Sequence, residues 1–293
     1  MGVFIFLLGA MMSFAPSTAT PPRQSQEEAK LAGILQKAQE YCRRLDRAAL
    51  DFVCREDVEE EVNKASGPTA TTVSAPPPVV MGGGRMLAAP APVDSFNTTS
   101  YLYDYQFIRK GTEVTERRDL LEKSGKKVNK ADAAPETRHF KFRDILFGAS
   151  QLLGESATAR HDYKIAKDDK IKGEAVIIIT CLPKAEFAGK ILSGRAWVRA
   201  KDGAVLKIEW DPESFGSYSE VLVVAEKFHM APAIKSFTEF AMEKNGVRFP
   251  SLDVTEEAYS GGGSSKFIRS TTTVKYKSYK FFTVETETGM RTP

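Results

Sequence analysis

The chain of 293 residues has only three cysteines, three histidines and two tryptophans, and its charge nearly balances, 41 Lys and Arg against 38 Asp and Glu. Each scarcity excludes something. Cys42, Cys54 and Cys181 form no Cys-x-x-Cys pair and the histidines are scattered, so no metal site is expected. A formal net charge of +3 leaves no concentrated basic stripe, and no nucleic-acid partner is expected. The pairs Arg117-Arg118 and Lys126-Lys127 read as a solvated hairpin face. There is no Gly-x-Ser-x-Gly elbow, and no Gly-Lys-Ser/Thr step follows the glycines at 82–84, so neither a hydrolase nucleophile nor a phosphate loop is present. No cofactor is expected. His161 and Asp162 adjoin, which on a strand sends them to opposite faces. Glu56, Asp57, the carboxylates at 59–61, Glu256 and Glu257 read as solvated strand faces, and His139 and His229 as surface or satisfied polar groups. The chain does not read as an enzyme.

Long apolar runs are also missing. The run at 3–14, VFIFLLGAMMSF, is shorter than the ~20 apolar residues a membrane-crossing helix needs, and suits the apolar region of a secretory leader. Ser17-Thr18-Ala19 supplies small residues for cleavage after Ala19, although no Lys or Arg precedes the run. No cysteine follows at lipobox distance. A soluble exported protein, periplasmic or secreted, is expected. That compartment permits a disulfide between Cys42 and Cys54, leaving Cys181 as a small buried hydrophobe.

What remains is one helix and many strands. Residues 25–51 read as an amphipathic helix, with Ser25 as its cap and Glu27 and Glu28 in its first turn. Leu31, Ile34, Leu35, Ala38, Tyr41, Cys42 and Leu45 make its apolar stripe. At 52–62 the period changes to two, with Phe52, Cys54 and Glu56 on one side. Residues 64–97, rich in Ala, Pro, Gly and Thr, read as a disordered insert between the first two strands. Hairpins then follow one another. Tyr101, Tyr103, Tyr105 and Phe107 share a strand face. Residues 194–212, GRAWVRAKDGAVLKIEWDP, turn at Lys201-Asp202-Gly203, with Leu206, Ile208 and Trp210 on one face and Lys207 and Glu209 on the other. A short helix is expected within 215–228, and Asn245-Gly246 marks a type I′ turn. Residues 266–284 form a long final strand. The fold class is mainly β (α+β): a curved antiparallel sheet or half-open barrel of about ten strands, covered by the N-terminal helix. The domain expectation is a signal peptide at 1–19, a linker at 20–26, a single domain at 27–287 and a tail at 288–293.

The hairpin carrying Gly194, Trp197, Val198, Asp202-Gly203 and Val205-Leu206-Lys207-Ile208-Glu209, followed by Asn245-Gly246 with Pro250, resembles the outer-membrane lipoprotein carrier superfamily. That group contains LolA- and LolB-like proteins and the N-terminal domain of the envelope-stress regulator RseB. The resemblance runs over residues 27–287. It implies a half-barrel closed by a helix, with an apolar cavity for acyl chains. The carrier's lid-gating arginine has no identified counterpart here. The aromatic row Tyr101, Tyr103, Tyr105 and Phe107, with Trp197, Leu206, Ile208 and Trp210, is then the expected ligand wall. The expected partner is a lipid or an acylated protein, with an envelope protein as a further partner and the chain itself a monomer. The alternative is an envelope sensor or protein-interaction module that uses the fold without a ligand.

Overall fold

The computed structural model describes residues 23–47, 51–65, 67, 95–110, 113–140, 145–261 and 266–282. The leader at 1–19, the bulk of the insert at 68–94 and the tail at 288–293 lie outside them.

Helix α1 (Arg23–Arg47) is followed by strands β1 (Asp51–Asn63), β2 (Phe96–Lys110), β3 (Glu113–Lys123) and β4 (Lys126–Lys130). A single 3₁₀ turn (Ile145–Phe147) leads into two short helices, α2 (Gly148–Leu153) and α3 (Glu155–Thr158). Next come β5 (His161–Ile171), β6 (Glu174–Pro183), β7 (Gly194–Arg199) and β8 (Val205–Trp210), then helix α4 (Tyr218–Phe228). The chain continues through β9 (Ala231–Pro232), β10 (Lys235–Glu239), β11 (Met242–Lys244), β12 (Val247–Phe249), β13 (Leu252–Ser260) and β14 (Lys266–Phe282).

Twelve strands form one antiparallel sheet, ordered β4-β3-β2-β1-β14-β13-β10-β8-β7-β6-β5 with β9 on β13, while β11 and β12 make a separate hairpin. The order runs from edge to edge without closing. Turn chemistry explains the hairpins: Ser124-Gly125, Lys172-Gly173 and Asn245-Gly246 all take positive φ at both positions, the type I′ geometry that matches strand twist. Register shifts at Val53/Arg55, Leu102/Tyr103, Trp197/Val198 and Glu257/Ala258 add the local bends that curve such a sheet.

The predicted stripe of α1 faces inward: Ile34, Ala38, Tyr41, Cys42 and Leu45 are buried, and Leu31 and Leu35 partly so. Burying each large apolar side chain contributes ~1.5–3 kcal/mol. The helix begins before Ser25, so that residue is not its cap, and no acidic residue lies in its first turn. It also ends at Arg47, and Asp51 already belongs to β1. Gly203, at φ +76, lies flush on α1; a Cβ there would come within 2.3 Å of the Lys37 backbone. The β7–β8 turn thus needs glycine both for its conformation and for the close approach.

Candidate functional site

Register assigns every strand residue to a face. Across the covered face one row reads Val58, Val274, Asp253, Thr238, Ile208, Ala196, Ile179, and the next reads Glu60, Thr272, Thr255, Ser236, Trp210, Gly194, Cys181. Tyr101, Tyr103, Tyr105 and Phe107 stand on this face opposite Val58, Glu56, Cys54 and Phe52. Leu206, Ile208 and Trp210 share it. Trp197 does not: it pairs with Lys207 on the outer face, where the Lys207 ammonium lies 4.9 Å from its ring and 4.8 Å from that of Phe237. Alternation alone places Trp197 one residue off Ala196 and Val198, both fully buried.

The expected wall is packed rather than open. Tyr103, Phe107 and Ile208 have no exposed area. Gly148 of α2 sits on Trp210, so a Cβ at that glycine would meet the indole at 2.7 Å. Phe107 meets Phe147 at 5.5 Å and stacks on Phe52 at 5.1 Å, and Phe52 in turn meets Phe249, Tyr279 and Phe281. The space between Phe52, Tyr105, Leu146, Tyr276 and Tyr279 is about 10 Å³. A larger, open groove of about 770 Å³ lies among outward-facing side chains, including Thr180, Arg195, Lys207, Glu209 and Phe237, and reaches Trp210 of the covered-face row.

The centre of the covered face is polar, contrary to the sequence reading. Glu56, Glu60 and Glu257, expected on solvated faces, are at most 1% exposed, and Asp253 is 9% exposed. Buried carboxylates need partners, and each has them. Glu56 accepts from Arg118 Nε at 2.8 Å and Nη2 at 3.1 Å. Arg118 also bonds Glu116 at 3.2 Å and lies over the Tyr105 ring, so one arginine of the expected solvated pair is in fact buried. Burial pushes the Glu56 carboxyl up to about 7 against the pull of that guanidinium. Glu60 accepts the backbone N–H groups of Arg138 at 2.6 Å and His139 at 3.2 Å. Asp253 accepts from Thr238 Oγ1 at 2.6 Å, and Thr238 accepts from Trp210 Nε1 at 2.9 Å. Burial raises the Asp253 carboxyl to about 6. Glu257 accepts from the Tyr259 hydroxyl and from Arg269 Nη1 at 2.7 Å, with His139 Nδ1 3.7 Å away. The sequence signal was present in part: Glu56 has the parity of Phe52 and Cys54, and Glu60 follows it. Arg118, Asp253 and Glu257 gave none.

The cysteines do not pair. All three are free and buried. Cys42 turns toward Ser150 of α2 and Cys54 toward Tyr279 of β14, so the Cys42–Cys54 bond expected from the sequence is not formed. Burial pushes the Cys42 thiol up to about 12, which leaves it inert rather than nucleophilic. His161 is buried, with both ring nitrogens held at backbone carbonyls of Ala157 and Leu192. Among the described residues no cluster of His, Cys, Asp or Glu could hold a metal ion, and no helix is long and apolar enough to cross a membrane.

No family model matches the sequence, and no curated protein does. Among solved structures, the chain is similar to a LolA superfamily protein from Nitrosomonas europaea, at 11% identity over 85% of this chain and 94% of that one, TM-score 0.37. It is similar to a domain from Vibrio parahaemolyticus named for outer membrane lipoprotein sorting, at 13% identity over 86% and 94%, TM-score 0.34. It is also similar to the MucA/MucB complex of Pseudomonas aeruginosa, at 8% identity over 85% and 99%, TM-score 0.23. In this chain the sheet is open and antiparallel, with the N-terminal helix packed on one face.

Proposed function

We propose that the chain is a non-catalytic binding protein of the cell envelope that acts through contact with another polypeptide rather than by carrying a cargo inside its sheet. The observation that supports this reading is how closely the described residues of the covered face pack. Tyr103, Phe107 and Ile208 have no exposed area, and the space beside Phe52, Tyr105 and Tyr279 is about 10 Å³. Ligand pockets run to ~300–1,000 Å³. A second reading, carriage of a lipid or acyl chain, draws on the ring cluster of Phe52, Phe107, Phe249, Tyr279 and Phe281 beneath Phe147. Apolar burial there would stabilise an acyl chain by ~0.8 kcal/mol per methylene, but only after the rings part.

Native mass spectrometry separates the two. Protein recovered from a bacterial periplasm without detergent is expected at its bare mass, and to stay there with added phospholipid or lipopeptide. A reproducible lipid or acyl adduct would overturn the proposal in favour of carriage.

A further inference from the structure

Residues 131–140, Ala-Asp-Ala-Ala-Pro-Glu-Thr-Arg-His-Phe, form neither helix nor strand, yet they lie across the covered face transverse to its strands. The contacts step from strand to strand. At β3 the Ala133 N–H donates to the Arg118 carbonyl at 2.7 Å. At β2 the Glu136 N–H donates to the Tyr103 hydroxyl at 3.0 Å, and the Tyr101 hydroxyl donates to the Glu136 carbonyl at 3.4 Å. At β1 Glu60 takes the Arg138 and His139 amides, and at β13 His139 approaches Glu257. Ala133, Pro135 and Thr137 point inward and are buried, while Ala134 and Arg138 are exposed.

We infer that this part of the covered face is a groove for an extended polypeptide, and that strap 131–140 is its resident occupant, replaceable by an extended segment of a partner protein with small residues at alternate positions. The inference rests on the polypeptide-contact reading above and names the partner's chemistry. The hydrogen bonds just described from the sheet end on main-chain atoms of the strap, a mode of recognition that tolerates many sequences. The inward side chains are small, which sets one restriction, and the Glu136 carboxylate, which accepts from Lys123 Nζ at 2.9 Å and Lys130 Nζ at 3.0 Å, sets a second. Glu60 is a buried carboxylate whose partners are strap amides, so the groove requires a backbone at that place. One strand further along the same row, the buried Thr272 Oγ1 has no hydrogen-bond partner. It lies on β14, between the β1 and β13 contacts of the strap, and the resident segment leaves it unsatisfied.

The test expels the strap without touching the sheet. Ala133→Lys with Thr137→Lys forces two ammonium groups off the covered face. A fluorescein-labelled peptide with the sequence of residues 131–140 is then titrated by anisotropy. The expelled variant is expected to bind at least about tenfold tighter than the unaltered protein, and adding Glu60→Ala to remove that gain. An expelled variant that melts cooperatively but shows no saturable binding would overturn the inference. So would equal binding of a control peptide carrying Lys at its three inward positions. Should the variant not fold, hydrogen exchange on the unaltered protein decides: the Glu136 and Arg138 amides are expected to exchange at least about tenfold faster than those of Ile179 and Ile208. Equal rates would mean the strap leaves only with global unfolding and is core. A lipid adduct in the mass spectrum would sink the proposed function, whereas these peptide and exchange results bear on the groove alone.

Discussion

The two ends of the sheet are built on different principles. Strands β6 to β8 present Ile177, Ile179, Cys181, Ala196, Val198, Leu206 and Ile208 to the core shared with helices α1 and α2, an apolar packing whose strength scales with area removed from water. Strands β1, β2, β3, β13 and β14 present aromatic rings with Glu56, Glu60, Arg118, Asp253 and Glu257 among them, beneath a strap held by directed hydrogen bonds. The first end tolerates any apolar neighbour of similar volume. The second fixes which groups meet, because each buried charge left without its partner is costly. The lesson is that one continuous sheet can hold a general core at one end and a selective surface at the other.

The sharpest way to break the contrast is Arg118→Met, which strands Glu56 in the interior. It is expected to lower unfolding free energy by ~3–5 kcal/mol in urea titrations at pH 8. The loss should shrink at pH 5, where Glu56 takes up a proton, and adding Glu56→Gln should recover part of it. At the apolar end, Ile208→Ala should cost ~2–4 kcal/mol with no such pH dependence. The neighbouring Lys207→Ala, on the outer face, should cost well under half of that; equal losses would mean the two faces are assigned wrongly.

Asp253→Asn is expected to work in the opposite direction. The folded-state carboxyl is raised from 3.8 to about 6 by burial, so well below pH 3.8 both states are protonated and the effect is absent. Between pH 4 and 6 the unfolded chain ionises first and stability falls as pH rises. Above pH 6 the full penalty of ~2–3 kcal/mol persists. The asparagine variant should therefore be more stable at pH 7.5 and lack that slope, and denaturation at pH 3.5, 5 and 7.5 reads both. The smallest effect belongs to Lys30→Ala, which removes an exposed pair with Asp168 at 2.7 Å and should change stability by less than ~0.5 kcal/mol.

How much of this was visible in the sequence follows the same divide. The apolar end was legible because alternation and helical spacing are direct records of burial: the α1 stripe, the β7–β8 hairpin and the Asn245-Gly246 turn all stand where periodicity put them. The sheet has more strands than the ten or so expected, since short pieces such as β4 and β9 carry too little pattern to register. The polar end was mostly hidden: parity set Glu56 and Glu60 apart from Asp57 and Glu59, but the partners that make their burial tolerable come from β3 and from the strap, far off in sequence. Trp197 was misassigned for a related reason. A large ring suggests an interior, but here it lies on the outer face beneath the ammonium of Lys207.

The two tryptophans of the chain stand on opposite faces of the same hairpin. Trp210 lies directly beneath Gly148 at the start of α2, with its indole N–H bonded to Thr238. Trp197 lies on the other side under Lys207. The protein thus carries its own pair of fluorophores. In a Trp197→Phe background the emission maximum reports on both the contact with α2 and the groove that Trp210 lines, and in a Trp210→Phe background it reports on the patch under Lys207 alone, so light can tell a partner seated at Trp210 from one seated on the lysine-capped ring.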